Sequence, residues 1–127
     1  ALKAQGVAAH SYARYRISQK LSGGDGQGEA YLSTDPAECQ GYLDEEGRRE
    51  QWGSQFDAYE AKLTEAVSAV IDKVLVYDGE PVMAMFHAVS GGKTEDAANL
   101  FGSPVSYLVP ADSASDELSP SFLEEKT

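Results

Sequence analysis

Along the first 21 residues, Leu2, Ala9, Ala13 and Ile17 recur at spacings that keep one face of a helix apolar. Abundant alanine favours the same element. Ala4, Ala8, Ser11 and Tyr15 form an adjoining face of mostly small residues, open to close approach by a strand or a second helix. Gly6 costs about 1 kcal/mol relative to Ala in a helix interior, which points to close packing there. Ser22 to Glu29 is rich in glycine and ends this helix. Further on, Phe56, Tyr59, Leu63, Val67, Val70 and Ile71 step by threes and fours, predicting a second amphipathic helix from about Ser54 to Ala69. Lys73 to Tyr77 is a short β-branched run, and Val82 to Val89 an apolar run broken only by His87, long enough for a buried strand. Asp78-Gly79 between them is a strong hairpin signal, which makes the two runs antiparallel neighbours. The expected class is α+β: an Ala-rich N-terminal helix and a second amphipathic helix packed against a small sheet containing that hairpin.

The intervening stretches read as turns and surface. Asp35-Pro36 starts a turn, and Cys39 to Tyr42 resumes toward the core, with Cys39 as a small buried hydrophobe. Arg48 to Gln51 reads as a solvated connector. Ser90-Gly91-Gly92 either lets backbone N–H groups converge on an acceptor or merely turns the chain, and on these residues alone the turn is favoured. Thr94 is the expected N-cap of a following short helix, with Glu95 and Asp96 in its first turn and Gly102 as its stop. The proline- and serine-rich remainder is expected to be an extended surface segment.

Charge and composition narrow the chemistry. A formal charge of −11 with only ten Lys and Arg excludes a basic face for nucleic acid. The glycine-rich stretch lacks the Lys-Ser/Thr ending of a phosphate-binding loop. A single cysteine forbids an internal disulfide, and no apolar run reaches the ~18 residues of a membrane span. His10 reads as a partly exposed surface residue.

Four segments taken together carry a resemblance. ALKAQGVAAHSYARY resembles the opening motif of the stage II sporulation protein D family, and MFHAVSGGKTEDAANLFG its second block. STDPAECQGY is similar to the segment between them, and DELSPSF to the one after. The resemblance implies a peptidoglycan lytic transglycosylase that prefers glycan strands stripped of their peptide stems, needs no cofactor and works outside the cytoplasm. It further implies a membrane anchor in the full-length protein, and a cell-wall amidase or endopeptidase of the sporulation machinery as a partner.

The family's catalytic Glu falls immediately before Ala1, so no catalytic acid is expected within residues 1–127. The chain is expected to be a fragment of one catalytic domain, inactive alone, without the N-terminal part bearing that Glu and without the C-terminal part. Gln5, Tyr12, His87, Ser90, Gly91, Gly92 and Thr94 are the implied substrate contacts, supported by Lys3, Gln40, Tyr42 and Glu95. His10 replaces an Arg of the motif and Ala88 a Ser. The start of the first helix and the Ser90–Gly92 bend are expected to share one groove. Some relatives hold zinc in the middle segment, but Gln27, Ser33 and Glu38 leave Cys39 as the one remaining ligand there, so no zinc is expected. The competing readings are a non-catalytic glycan-binding or amidase-enhancing module, and an internal acid among Glu38, Glu95 and Asp96. The last is disfavoured, since Glu95 suits a helix start and Glu38 a surface.

Overall fold

The computed structural model describes residues 1–23 and 32–122 and divides the chain into two compact units, Ala1–Met85 and Phe86–Thr127. The first unit holds α1 (Leu2–Ser22), α2 (Glu45–Trp52), a 3-10 turn at Gly53–Gln55, α3 (Phe56–Ser68) and a hairpin of β1 (Val76–Tyr77) and β2 (Glu80–Pro81). The second holds the short α4 (Ala97–Phe101) and a 3-10 helix at Ala114–Leu118. The class is α+β, as the hydrophobic pattern predicts.

The Ala-rich α1 is the centre of the first unit and packs against both α3 and β2. Gly6 is a point of closest approach: a Cβ there would stand 3.2 Å from Val70 Cγ2. Ser11 is fully buried, and its hydroxyl donates to Val7 O at 2.6 Å while accepting from Leu75 N–H at 2.8 Å. His10, half-buried, donates from Nδ1 to Lys73 O at 3.2 Å. Two neighbouring side chains of α1 thus bracket the backbone that leads into the hairpin. The first helix ends at the glycine-rich stretch, where Gly23 N–H bonds back to Gln19 O and Lys20 O.

The strands are shorter than their apolar runs. Only Val76 and Tyr77 pair, with Pro81 and Glu80, because the Lys73 carbonyl and the Leu75 N–H are already bonded to α1. Val82 N–H reaches Leu75 O at 3.1 Å, and then Met85 N–H turns back to Met83 O at 2.9 Å, which ends the ladder. Val82 is buried, but Met85 to Ala88 are exposed, so Val82–Val89 is not a buried strand. The Asp78-Gly79 turn is present, with φ of 51° and 80° at its two residues, the geometry of a type I′ hairpin loop.

A helix replaces the expected connector at Arg48–Gln51. Asp44 caps it by accepting from Gly47 N–H at 2.8 Å, and Glu45 and Glu46 occupy its first turn. Arg48 forms a fork with Glu60 of α3, at 3.0 and 3.1 Å, and also bonds Leu43 O. Arg49 lies over the Phe56 ring at 3.9 Å, and Trp52 packs on Phe56 and edge-on to Tyr59. Among the described residues, the buried side chains are Ser11, Phe56, Ala66, Val70, Val82 and Ala97, while Tyr59, Val67 and Ile71 of the α3 pattern remain exposed. No helix among the described residues is long and apolar enough to cross a membrane.

Candidate functional site

On α1, Gln5 and Tyr12 lie seven residues apart, which places them within roughly 20° of each other around the helix axis. Gln5 is exposed and Tyr12 half-buried, its ring 6.4 Å from that of Tyr15. Lys3, also exposed, stands on a different face of the helix, in line with His10. Gln40 and Tyr42 are exposed in the loop before α2. That loop is shaped by the expected Asp35-Pro36 turn, in which Asp35 Oδ1 accepts from Ala37 N–H at 2.8 Å and Asp35 O from Cys39 N–H at 2.9 Å. Cys39 itself is half-buried rather than enclosed, because this loop lies at the surface. A hollow of about 230 Å³, lined by Leu2, Trp52, Tyr59, Lys62 and Leu63, opens beside the start of α1. Pattern reasoning did not single it out, because its lining comes from three separate helices.

The second unit gathers His87, Ser90, Gly91, Gly92, Thr94 and Glu95. Its organising contact is one that the sequence did not reveal. The Asp116 carboxylate, from the 3-10 helix, accepts from Ser90 N–H at 2.7 Å and from the Ser90 hydroxyl at 2.6 Å through the same oxygen. Gly92 N–H donates in turn to Ser90 Oγ at 3.2 Å, and Ser113 N–H to Gly92 O at 2.8 Å. The bend therefore does converge donors on an acceptor, but the acceptor is supplied by the chain itself. The Ser90 hydroxyl, then its N–H, then the Ser113 hydroxyl hold the Asp116 carboxyl below the usual aspartate range; partial desolvation opposes them, and His87 adds a smaller attraction. Asp116 is the first residue of DELSPSF, so the motif marked its position without indicating its partner.

Thr94 is not the cap of α4. Its N–H donates to Ala111 O at 2.9 Å and its Oγ1 accepts from Ala111 N–H at 2.8 Å, while Asp96 caps the helix by accepting from Ala98 N–H. Glu95 is engaged locally: its Oε1 accepts from Asn99 Nδ2 and from Asp96 N–H, each at 2.8 Å, and these bonds lower its pKa. Gly102 ends α4 in the left-handed region, as expected. The segment after it lies at the surface, as expected, but it is not simply extended, since it folds back so that Leu108, Ala111 and Asp112 pair with Ala97, Thr94 and Lys93. His87 and Gly91 are exposed, and among the described residues, chain neighbours aside, nothing lies within 4 Å of where a Cβ on Gly91 or Gly92 would stand. The bend thus carries open space on its glycine side.

Among the described residues, no three His, Cys, Asp or Glu side chains are gathered as a metal site would require. Gln27 lies outside those residues.

The family model described as stage II sporulation protein matches residues 1–77. Stage II sporulation protein D of Bacillus subtilis is 31% identical across 100% of the chain, which spans 36% of that relative's length. The protein of the same name from Bacillus amyloliquefaciens gives the same figures. An uncharacterized protein of Brachyspira hyodysenteriae is 31% identical over 85% of the chain and 25% of its own length. With its first 77 residues matched by the family model and its full length aligned to these relatives, the chain belongs to the stage II sporulation protein D family.

Proposed function

We propose that the full-length protein cleaves peptidoglycan glycan strands by lytic transglycosylation during sporulation, with strands freed of peptide stems as its preferred substrate. The observation that carries this reading is the presence, in order, of both family blocks within an alignment running the whole chain. That the Bacillus relatives are named for stage II of sporulation supports the process.

The reaction asks for one carboxylic acid whose pKa is raised enough to protonate the oxygen linking N-acetylmuramic acid to N-acetylglucosamine. Its conjugate base then takes the proton of the muramic 6-hydroxyl. That oxygen attacks C1 and closes a 1,6-anhydro ring, so no water enters and a second carboxylate is not needed. In this reading the acid is the family Glu before Ala1. Gln5 and Tyr12, on one stripe of α1, and His87, Ser90, Gly91, Gly92 and Thr94 in the second unit bind and orient the sugars, with Lys3, Gln40, Tyr42 and Glu95 in support. The setting is the outer side of the cell membrane, with an amidase or endopeptidase acting on the same wall.

The test is to incubate the full-length protein with peptide-free glycan strands and to search the products by mass spectrometry for 1,6-anhydro-muramic ends. Their formation, and their loss when the family Glu is changed to Gln, is the expected result. Strands that are bound but left uncut would instead assign the non-catalytic, glycan-binding or amidase-enhancing role.

A further inference from the structure

The polarity of the Ser90 hydroxyl follows from its surroundings. An ionised carboxylate can only accept, so at 2.6 Å from Asp116 the hydroxyl must donate its proton inward. Gly92 N–H, at 3.2 Å, occupies one of the two lone pairs of Ser90 Oγ. Among the described residues nothing else bonds that oxygen, so one lone pair is left, on a half-buried side chain next to glycines whose Cβ positions face open space. A hydroxyl held in this way cannot donate to a ligand. It can only receive.

We infer that Asp116 is a positioning residue that fixes Ser90 as a pure hydrogen-bond acceptor, so that the bend recognises a donor group of the glycan, a free sugar hydroxyl or an acetamido N–H. The inference rests on the glycan-binding reading of the second unit and adds to it a residue and a direction. Asp116 need not touch the sugar: its effect passes through Ser90, whose rotor it locks before binding, which spares the entropy of ordering that hydroxyl in the complex. Ser113 and the Ser90 N–H fill other acceptor positions of the carboxylate and keep it in place.

The experiment measures the dissociation constant of the protein for a defined peptide-free oligosaccharide of alternating N-acetylglucosamine and N-acetylmuramic acid. Ser90→Ala and Asp116→Ala are each expected to weaken binding on the order of tenfold, and the double variant no further, because the two act through one hydrogen bond. Asp116→Asn keeps an acceptor oxygen for the hydroxyl and is expected to remain within about threefold of the unsubstituted protein. Ser90→Ala retains the backbone bond to Asp116 and so preserves the bend, which an unchanged amide spectrum of the second unit verifies. Should Asp116→Ala fail to fold, Ser90→Ala and Asp116→Asn still decide the matter. Unaltered affinity in Ser90→Ala, additive losses in the double variant, or a tenfold loss in Asp116→Asn would each overturn the inference alone. No binding by the unsubstituted protein would overturn the glycan reading and this inference with it.

Discussion

Removing the Ser11 hydroxyl takes from the Leu75 N–H its acceptor, which sits on a fully buried side chain. Ser11→Ala is therefore expected to cost about 1–3 kcal/mol, measured by urea denaturation, even though alanine is the better helix former. Gly6 tests packing in place of polarity. With Val70 Cγ2 only 3.2 Å from a would-be Cβ, Gly6→Ala should lie within about 1 kcal/mol of the parent, as helix propensity offsets the crowding, whereas Gly6→Leu should destabilise by about 1–3 kcal/mol. Asp116 supplies a pH test. Its folded pKa is depressed, so its stabilising effect is complete above the ordinary aspartate value and is lost as pH falls through the lower folded value. The Ser90 amide shift, followed by NMR, should accordingly stay flat near neutrality and move only in that acid range. Gly6 was legible as a close-packing point because a glycine inside an alanine helix demands a reason. Ser11 was legible only as a small residue, since its hydroxyl's second partner lies 64 residues away.

Among the elements, the hairpin was the clearest signal and its strands the least. Asp-Gly chemistry dictates a turn locally: both residues need positive φ, and at 80° Gly79 tolerates a side chain poorly. Gly79→Val is expected to lower stability by about 1–2 kcal/mol, read as a fall in melting temperature, whereas a Val placed at the helical Ala58 should cost under 1 kcal/mol. Strand length is not local, because it depended on α1 taking the backbone groups of Lys73 and Leu75. The helix α2 was missed for the opposite reason. EEGRREQW has no apolar stripe to reveal a period, and its support comes from an end cap, the Arg48–Glu60 fork and aromatic packing on α3. The cap was visible in Asp44-Glu45-Glu46, and Asp44→Ala should cost about 0.5–2 kcal/mol, with loss of helix signal in circular dichroism.

For the molecule as a whole, charge governs approach. On the proposed glycan-cleaving reading the substrate's muramic acid bears a lactyl carboxylate, which the chain's charge of −11 repels at long range. Raising ionic strength from about 0.01 M to about 0.15 M shortens the screening length from about 30 Å to about 8 Å and should speed glycan association, as followed by surface plasmon resonance. A rate that falls with salt would point instead to local recognition of the carboxylate by a cation such as Lys3. Amino-acid order alone determined the α+β class, the limits of α1, the stop of α4 at Gly102, the hairpin turn and the family blocks, because propensity, periodicity and glycine chemistry act over a few residues. Only the tertiary structure decided which side of Ser90 is free, which backbone groups of the hairpin are spoken for, and that Asp116 closes the serine-diglycine bend. Each of these depends on a hydrogen-bond partner dozens of residues away, and a polar group's role is set by the partner it finds when the chain folds.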